Sequence, residues 1–115
     1  MKILYLGVHY YKNETNWRTE SFVYNAFKNQ NIDVKRIDYR KLLKSSKGKE
    51  KLEKSIVSEV SNCDIVFLQR GEGISLKTLS LIKIPIIFWS TEPINRNKDA
   101  DHLLNSNIFS WVYFH

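Results

Sequence analysis

The stretch of the sequence best suited to chemistry is QRGEG, Gln69–Gly73, which directly follows an apolar run. Arg70 carries a planar guanidinium that matches a carboxylate or a phosphate. Glu72 can accept hydrogen bonds from sugar hydroxyls or act as a general base. Gly71 and Gly73 tolerate positive φ and allow a ligand to approach main-chain N–H groups. The stretch therefore predicts a binding site; the alternative is a charged turn whose Arg70 and Glu72 are solvated or paired with each other.

A second polar stretch, Ser90–Pro93, follows another apolar run. Pro93 favours an extended backbone at Glu92, which would direct that carboxylate out of the strand end. Ser90 and Thr91 can bind a ligand, although such hydroxyls commonly bond to nearby backbone. We expect Ser90 and Thr91 to contribute to ligand binding and Glu92 to be the second candidate base after Glu72.

Three further residues are candidates because of their places in the sequence. His9 follows the first apolar run and is the third candidate base, although a single His at a strand end commonly has a structural role. Arg18 lies in the first turn of a predicted helix, whose N-terminus favours anions. His115 follows the last apolar run and completes the predicted ligand-binding set.

The common nucleotide and metal motifs are missing from the sequence. The first turn, Gly7–Tyr11, has one glycine where the dinucleotide fingerprint has three, and there is no Walker A sequence. His9, His102 and His115 lack metal-ligand spacing, and Cys63 is the single cysteine. The sequence therefore predicts no metal site and no cofactor bound by this domain.

These candidates are positioned by strands and helices that alternate along the chain. The apolar runs predict five strands, at Lys2–Val8, Ile32–Asp38, Asp64–Leu68, Ile84–Trp89 and Phe109–Phe114. Helical spacing predicts one helix from an Asn16 cap to Asn29–Asn31, one with an apolar face of Leu52, Ile56, Val57 and Val60, one capped by Ser75, and one over Asp99–Asn105. The Lys-rich stretch Lys44–Lys51 is predicted to be a loop.

This alternation predicts one α/β domain over residues 1–115. We expect a Rossmann-like, three-layer α/β/α fold with a five-stranded parallel sheet in the order 3-2-1-4-5. In such sheets ligands bind outside the carboxyl ends of the strands, near the point where the strand order reverses. The loops after the strands, and the candidate residues on them, are therefore expected to meet at one edge.

The basic character of the chain is confined to one segment. The net charge is +6, and Lys35–Lys54 has nine basic and three acidic residues, which accounts for the whole excess. Such a segment is commonly a solvated helix and loop. The alternative is a docking surface for phosphates, anionic lipid or nucleic acid. Because no nucleic-acid-binding signature accompanies it, a nucleic acid is not the expected partner.

The sequence also predicts a compartment. No apolar stretch approaches the ~18–20 residues of a membrane span. The N-terminus MKILYLGV reads as a strand and lacks the pattern of a signal peptide. With a single cysteine, a disulfide within the chain is excluded. We therefore expect a cytoplasmic location.

Several of these stretches together resemble the N-terminal half of CgeB-like (spore-maturation type) glycosyltransferases, which are bacterial enzymes of the GT-B type. The stretches are the first strand KILYLG, a buried strand followed by QRGEG, then IPIIFWSTEP and a closing WVYFH. The likeness covers almost the whole chain, and its most specific parts are Gln69–Gly73 and Trp89–Pro93. It implies two Rossmann-like domains, of which the N-terminal one mainly binds the acceptor and the C-terminal one binds a nucleotide-sugar donor. Arg70–Glu72 and Ser90–Pro93 would line the cleft between them.

The resemblance further implies which partners the chain needs. The sequence ends at His115, after the fifth predicted strand, so the donor-binding half is expected as a C-terminal domain or on a partner chain. The domain is expected to be inactive without it. A sugar or a protein would be the acceptor, and Lys35–Lys54 could contact an anionic surface. The alternative is a non-catalytic, flavodoxin-like binding or regulatory module for an anionic ligand or a partner protein.

Overall fold

The computed structural model describes residues 1–9, 19–90 and 111–114. The strands are β1 (Lys2–Gly7), β2 (Asp33–Asp38), β3 (Ile65–Gln69), β4 (Ile86–Ser90) and β5 (Trp111–Phe114). The helices are α1 (Thr19–Asn29), α2 (Tyr39–Leu43), α3 (Gly48–Val60) and α4 (Leu76–Leu79). The predictions that fall outside the described residues concern Arg18, Thr91, Glu92, Pro93, His115, the cap Asn16 and the helix Asp99–Asn105.

The strands form the expected parallel sheet of an α/β protein, but in a different order. The first four strands run β2-β1-β3-β4, and β5 pairs in parallel with β4. The predicted order 3-2-1-4-5 is wrong, because β1 pairs with β3 as well as with β2. The charges of β2 give the physical reason. Asp33 and Lys35 are exposed and suit an edge strand, whereas the predicted order would place β2 between two neighbours.

Helices cover both faces of the sheet. Leu52 and Ile56 of α3 pack with Leu6 of β1 in the main core. On the opposite face, Phe27 of α1 meets Tyr5 of β1 edge-on, with ring centroids 6.2 Å apart. Along the chain, α1 connects β1 to β2, and α3 lies in the connection from β2 to β3. Because right-handed crossovers over opposite faces move in opposite directions, β2 and β3 lie on opposite sides of β1, and the strand order reverses between β1 and β3. The carboxyl ends of these two strands therefore flank the point where ligands bind in this class of fold.

The second helical region differs from the prediction. The expected loop Lys44–Lys51 contains the start of α3, and a short helix that was not predicted, α2, precedes it. The corner between α2 and α3 is tight, since a Cβ on Gly48 would lie 2.3 Å from the Leu42 carbonyl oxygen. Val57, predicted on the buried face, is 53% exposed. It lies about 100° around the helix from the buried Ile56.

The other described helices agree with the sequence. The end of α1 at Asn29 was expected. The predicted cap of α4 is confirmed, because Ser75 Oγ accepts a hydrogen bond from the Thr78 main-chain N–H at 3.1 Å. In the parts of the chain that the structure describes, no helix has the length and apolar character needed to cross a bilayer.

Candidate functional site

The turn after β3 has an uncommon backbone conformation. Arg70, Gly71 and Gly73 have φ values of 72°, 87° and 85°. The two glycines adopt positive φ readily, as predicted from the sequence. At Arg70 the same region of φ costs about 1–3 kcal/mol, and such strain is concentrated at functional sites. The Arg70 N–H donates to the Trp89 carbonyl at 3.0 Å, which attaches the strained turn to β4.

Tyr39 holds this turn from the end of β2. Its side chain is fully buried, and its hydroxyl donates to Glu72 Oε2 while accepting a hydrogen bond from the Gly71 N–H at 3.0 Å. Burial, and then the hydrogen bond to Glu72, raise the pKa of the Tyr39 phenol well above its ordinary value. The phenol therefore stays protonated and remains a donor. The Gly71 N–H, expected to face a ligand, is used within the protein.

Four charged side chains form a continuous network at this edge. Glu72 Oε1 lies 3.1 Å from Arg40 Nη2 and 3.8 Å from Arg70 Nη1. Arg70 Nε lies 3.5 Å from Oε1 of Glu20, whose side chain is 5% exposed. We call Arg40, Glu72, Arg70 and Glu20 the strand-end network; its formal charges cancel. The sequence left open that Arg70 and Glu72 are paired with each other in a charged turn. They are paired, as part of this larger network.

The contacts of Glu72 bear on its predicted role as a base. Its Oε2 accepts from Tyr39, and its Oε1 faces Arg40 and Arg70. A general base needs an oxygen directed at the proton that it removes. The observed geometry supports positioning of two guanidinium groups more directly than proton transfer. The role of Glu72 as a base stays a prediction.

His9 is buried behind the end of β1 and has several partners. Its ring Nε2 lies 3.2 Å from the Tyr5 carbonyl oxygen, and its ring packs edge-on against the Tyr5 ring at 4.6 Å between centroids. Because a carbonyl oxygen only accepts, Nε2 carries the proton. The His9 main-chain N–H donates to Asp38 Oδ2 at 3.2 Å. These contacts support the structural role considered from the sequence, and catalysis by His9 stays a prediction.

The second polar stretch is described only at its first residue. Ser90 ends β4 and is 1% exposed, so its hydroxyl is enclosed by the protein. Ligand binding by Ser90 would need this part of the edge to open. The predictions made for the residues that follow it, like those for Arg18 and His115, lie outside the described residues.

A basic pocket opens beside the strand-end network. Its volume is about 280 Å³, and the described residues that line it are Val8, Asp38, Arg40, Lys41 and Lys44. The Asp38 side chain also caps α2, because its Oδ1 accepts from the Lys41 main-chain N–H at 2.9 Å. Among the residues that the structure describes, three cations and one anion line the pocket. It therefore offers an anionic ligand a positively charged cavity at the carboxyl edge of the sheet.

Several residues of this edge were missed as site residues by sequence reasoning. The sequence could have identified Tyr39 and Arg40, because they directly follow β2 and so lie at the same edge of the sheet as the candidate residues. Lys41 and Lys44 had only their membership of a basic segment that was predicted to be partly loop. Glu20 had no signal, since its partner in the network is distant in the sequence.

Among residues 1–9, 19–90 and 111–114, no group of three His, Cys, Asp or Glu side chains is arranged to hold a metal ion. No family model matches the chain, and no curated protein or solved structure matches it either. The function is therefore proposed from the geometry of this edge.

Proposed function

We propose that this chain is a ligand-binding domain and that it serves as the acceptor-side half of a glycosyltransferase. The observation that carries the binding role is the convergence of Arg40, Glu72 and Arg70 where the strand order reverses, with the buried Tyr39 holding the turn. Ion pairs and a buried hydroxyl fix these groups before a ligand arrives, which lowers the entropic cost of binding. The sugar-transfer role is supported by the likeness of Gln69–Gly73 to CgeB-like enzymes.

The proposed division of work assigns acceptor binding to this domain and the nucleotide-sugar donor to a second domain or chain. An acceptor hydroxyl attacks the anomeric carbon, the bond to the nucleotide diphosphate breaks, and the leaving group takes the bonding electrons. The hydroxyl proton passes to a base, for which Glu72, Glu92 and His9 are this chain's candidates. Arg40 and Arg70 would bind anionic or hydroxyl groups of the acceptor.

The test is a titration of the isotope-labelled chain with ligands, in which nuclear magnetic resonance monitors the amide signals. Sugars, sugar phosphates and a nucleotide sugar are the probes. We expect an acceptor-type sugar or sugar phosphate to shift the amide signals of residues 38–44 and 69–73. Arg70→Gln should lower the affinity about tenfold. The matched control is Arg36→Gln. Arg36 is in the middle of β2, away from the carboxyl edge, and its guanidinium lies over the ring of Tyr24 in α1.

Two results would contradict the binding proposal. One is the absence of saturable shifts in residues 38–44 and 69–73 with every probe. The other is an equal loss of affinity in Arg70→Gln and Arg36→Gln, which would reflect net charge and not a site. Either result would remove the strand-end network as the place where ligands bind.

The second candidate function is a non-catalytic, flavodoxin-like binding or regulatory module. The order β2-β1-β3-β4 favours it, because this is the order found in flavodoxin-like sheets. Purification of the native protein with its partners distinguishes the two candidates. A glycosyltransferase should contain or retain a donor-binding half and transfer labelled sugar. A regulatory module should bind its ligand without supporting transfer by any co-purifying chain.

A further inference from the structure

The basic pocket carries an inference that deepens the proposed ligand-binding role and rests on it. We propose that this pocket binds the phosphate group of a small phosphorylated molecule. At about 280 Å³ it lies just below the usual range of small-molecule sites. A cavity of this size admits one phosphate group with a small body attached.

The excess positive charge of the pocket comes from two lysines. Lys41 and Lys44 are exposed, and neither forms an ion pair with a described residue. They are three positions apart, and Arg40 is four positions before Lys44, so Lys44 lies next to both of the other cations on the surface of α2 and its C-terminal cap. Like charges at these spacings repel each other. A bound anion would replace this repulsion with attraction.

Asp38, the acid among the described lining residues, offsets one of the three positive charges, so the excess of two remains. Its Oδ1 accepts from the Lys41 main-chain N–H at 2.9 Å, and its Oδ2 accepts from the His9 main-chain N–H at 3.2 Å. These hydrogen bonds occupy the carboxylate and attach α2 to the end of β1. On the other side, Glu72 orients the Arg40 guanidinium at 3.1 Å. Asp38 and Arg40 are therefore held in place without a ligand.

A phosphate group fits this set of donors better than a carboxylate does. It carries close to two negative charges at neutral pH and presents three acceptor oxygens. It can therefore meet a guanidinium and two ammonium groups at the same time. An anionic membrane or a nucleic-acid backbone would instead engage the exposed lysines along Lys35–Lys54, most of which do not line the pocket.

The test compares three soluble probes at fixed ionic strength, which are glucose 6-phosphate, inorganic phosphate and glucose, and adds vesicles of anionic lipid as a separate probe. The variants are Lys41→Gln/Lys44→Gln and a matched control, Lys49→Gln/Lys51→Gln. The control removes the same charge from exposed positions of α3 that do not line the pocket. We expect glucose 6-phosphate to bind saturably with amide shifts in residues 38–44. Its affinity should fall about tenfold or more in the pocket variant and change less than about twofold in the control.

Each outcome has a definite meaning. Since the four lysines are exposed, both variants should unfold at the same urea concentration as the wild type. Equal losses in both variants would overturn the inference, because they would reveal general charge attraction. The inference would also be overturned if glucose 6-phosphate failed to bind while vesicles of anionic lipid bound the wild type and lost binding in the control variant. Inorganic phosphate that matches glucose 6-phosphate would support the phosphate site and show that the free ion is sufficient.

The same data separate this inference from the proposed function. If glucose shifts residues 69–73 and the phosphate group adds nothing, the ligand-binding role stands and the phosphate site is overturned. If no probe shifts residues 38–44 or residues 69–73, both are overturned.

Discussion

Replacing Tyr39 with Phe should test whether one hydroxyl holds the candidate site together. The substitution keeps the buried ring and removes two hydrogen bonds, one from the Gly71 N–H at 3.0 Å and one to the Glu72 carboxylate. A neutral hydrogen bond contributes about 0.5–1.5 kcal/mol and one to a charged group about 1.5–3 kcal/mol. Glu72 is 22% exposed and can regain part of its loss from water. We expect the free energy of unfolding to fall by about 2–3 kcal/mol.

Urea denaturation of the chain, followed by tryptophan fluorescence, measures this loss. For a denaturant slope of about 2 kcal/mol per molar, the midpoint should fall by about 1–1.5 M. Tyr24→Phe is the matched control. It keeps the ring that lies 3.7 Å beneath the Arg36 guanidinium and removes a hydroxyl of another tyrosine, away from the network. Its free energy of unfolding should change by less than about 0.5 kcal/mol.

The reasoning fails if Tyr39→Phe destabilises the protein no more than Tyr24→Phe does. A second comparison localises the effect. Because Tyr39→Phe and Glu72→Gln both remove the charge-assisted bond between these residues, the double variant should lose less than the sum of the two single losses. Strict additivity would show that Tyr39 and Glu72 do not interact, and the proposed anchoring of the turn would then have to be abandoned.

Three further predictions concern packing, titration and thiol reactivity. Gly48→Ala should lower the free energy of unfolding by about 2 kcal/mol or more, since its Cβ would lie 2.3 Å from a backbone carbonyl oxygen; a variant as stable as the wild type would contradict the tight corner. Burial raises the pKa of the Tyr5 and Tyr39 phenols, so the folded state keeps protons that the unfolded chain releases near pH 10. The free energy of unfolding should therefore fall above about pH 10, by up to about 1.4 kcal/mol per pH unit for each phenol. The urea midpoint of Tyr5→Phe should fall less steeply with rising pH than that of the wild type. Burial also raises the pKa of the Cys63 thiol, which is 8% exposed, so a thiol reagent should react slowly until urea unfolds the protein; equal rates in both states would refute this.

The strands could be predicted from the sequence because their signal is local. The described ends of β1, β3 and β4 lie within two residues of the apolar runs that predicted them. The order of the strands is not local, since it depends on which distant segments pair. The sequence does contain one indication of the order. Asp33 and Lys35 place two charges on one side of β2, which favours an edge position and argues against the order 3-2-1-4-5.

The candidate site also has some features that follow from the local sequence and others that depend on contacts between distant segments. The QRGEG turn and the positive φ of its glycines follow from residue type and position. The partners of the turn do not, because the Tyr39–Glu72 contact joins residues 33 positions apart and depends on how two segments pack. Glu20 is a further case. An acid in the first turn of a helix is common for reasons of the helix dipole, so nothing in the sequence distinguished it.

The observed strand order also explains why α2 is central to the site. With β1 between β2 and β3, the ends of β2 and β3 are separated by two strand spacings, roughly 10 Å. Tyr39 and Arg40 can reach Glu72 only if the chain turns inward over the end of β1 as soon as β2 finishes. α2 makes this turn, begins at Tyr39 and contacts β1. The same five-residue helix and its cap also carry the lysines of the basic pocket. A change that displaces α2, such as Gly48→Ala, should therefore weaken ligand binding together with stability, whereas Lys41→Gln/Lys44→Gln should weaken binding alone.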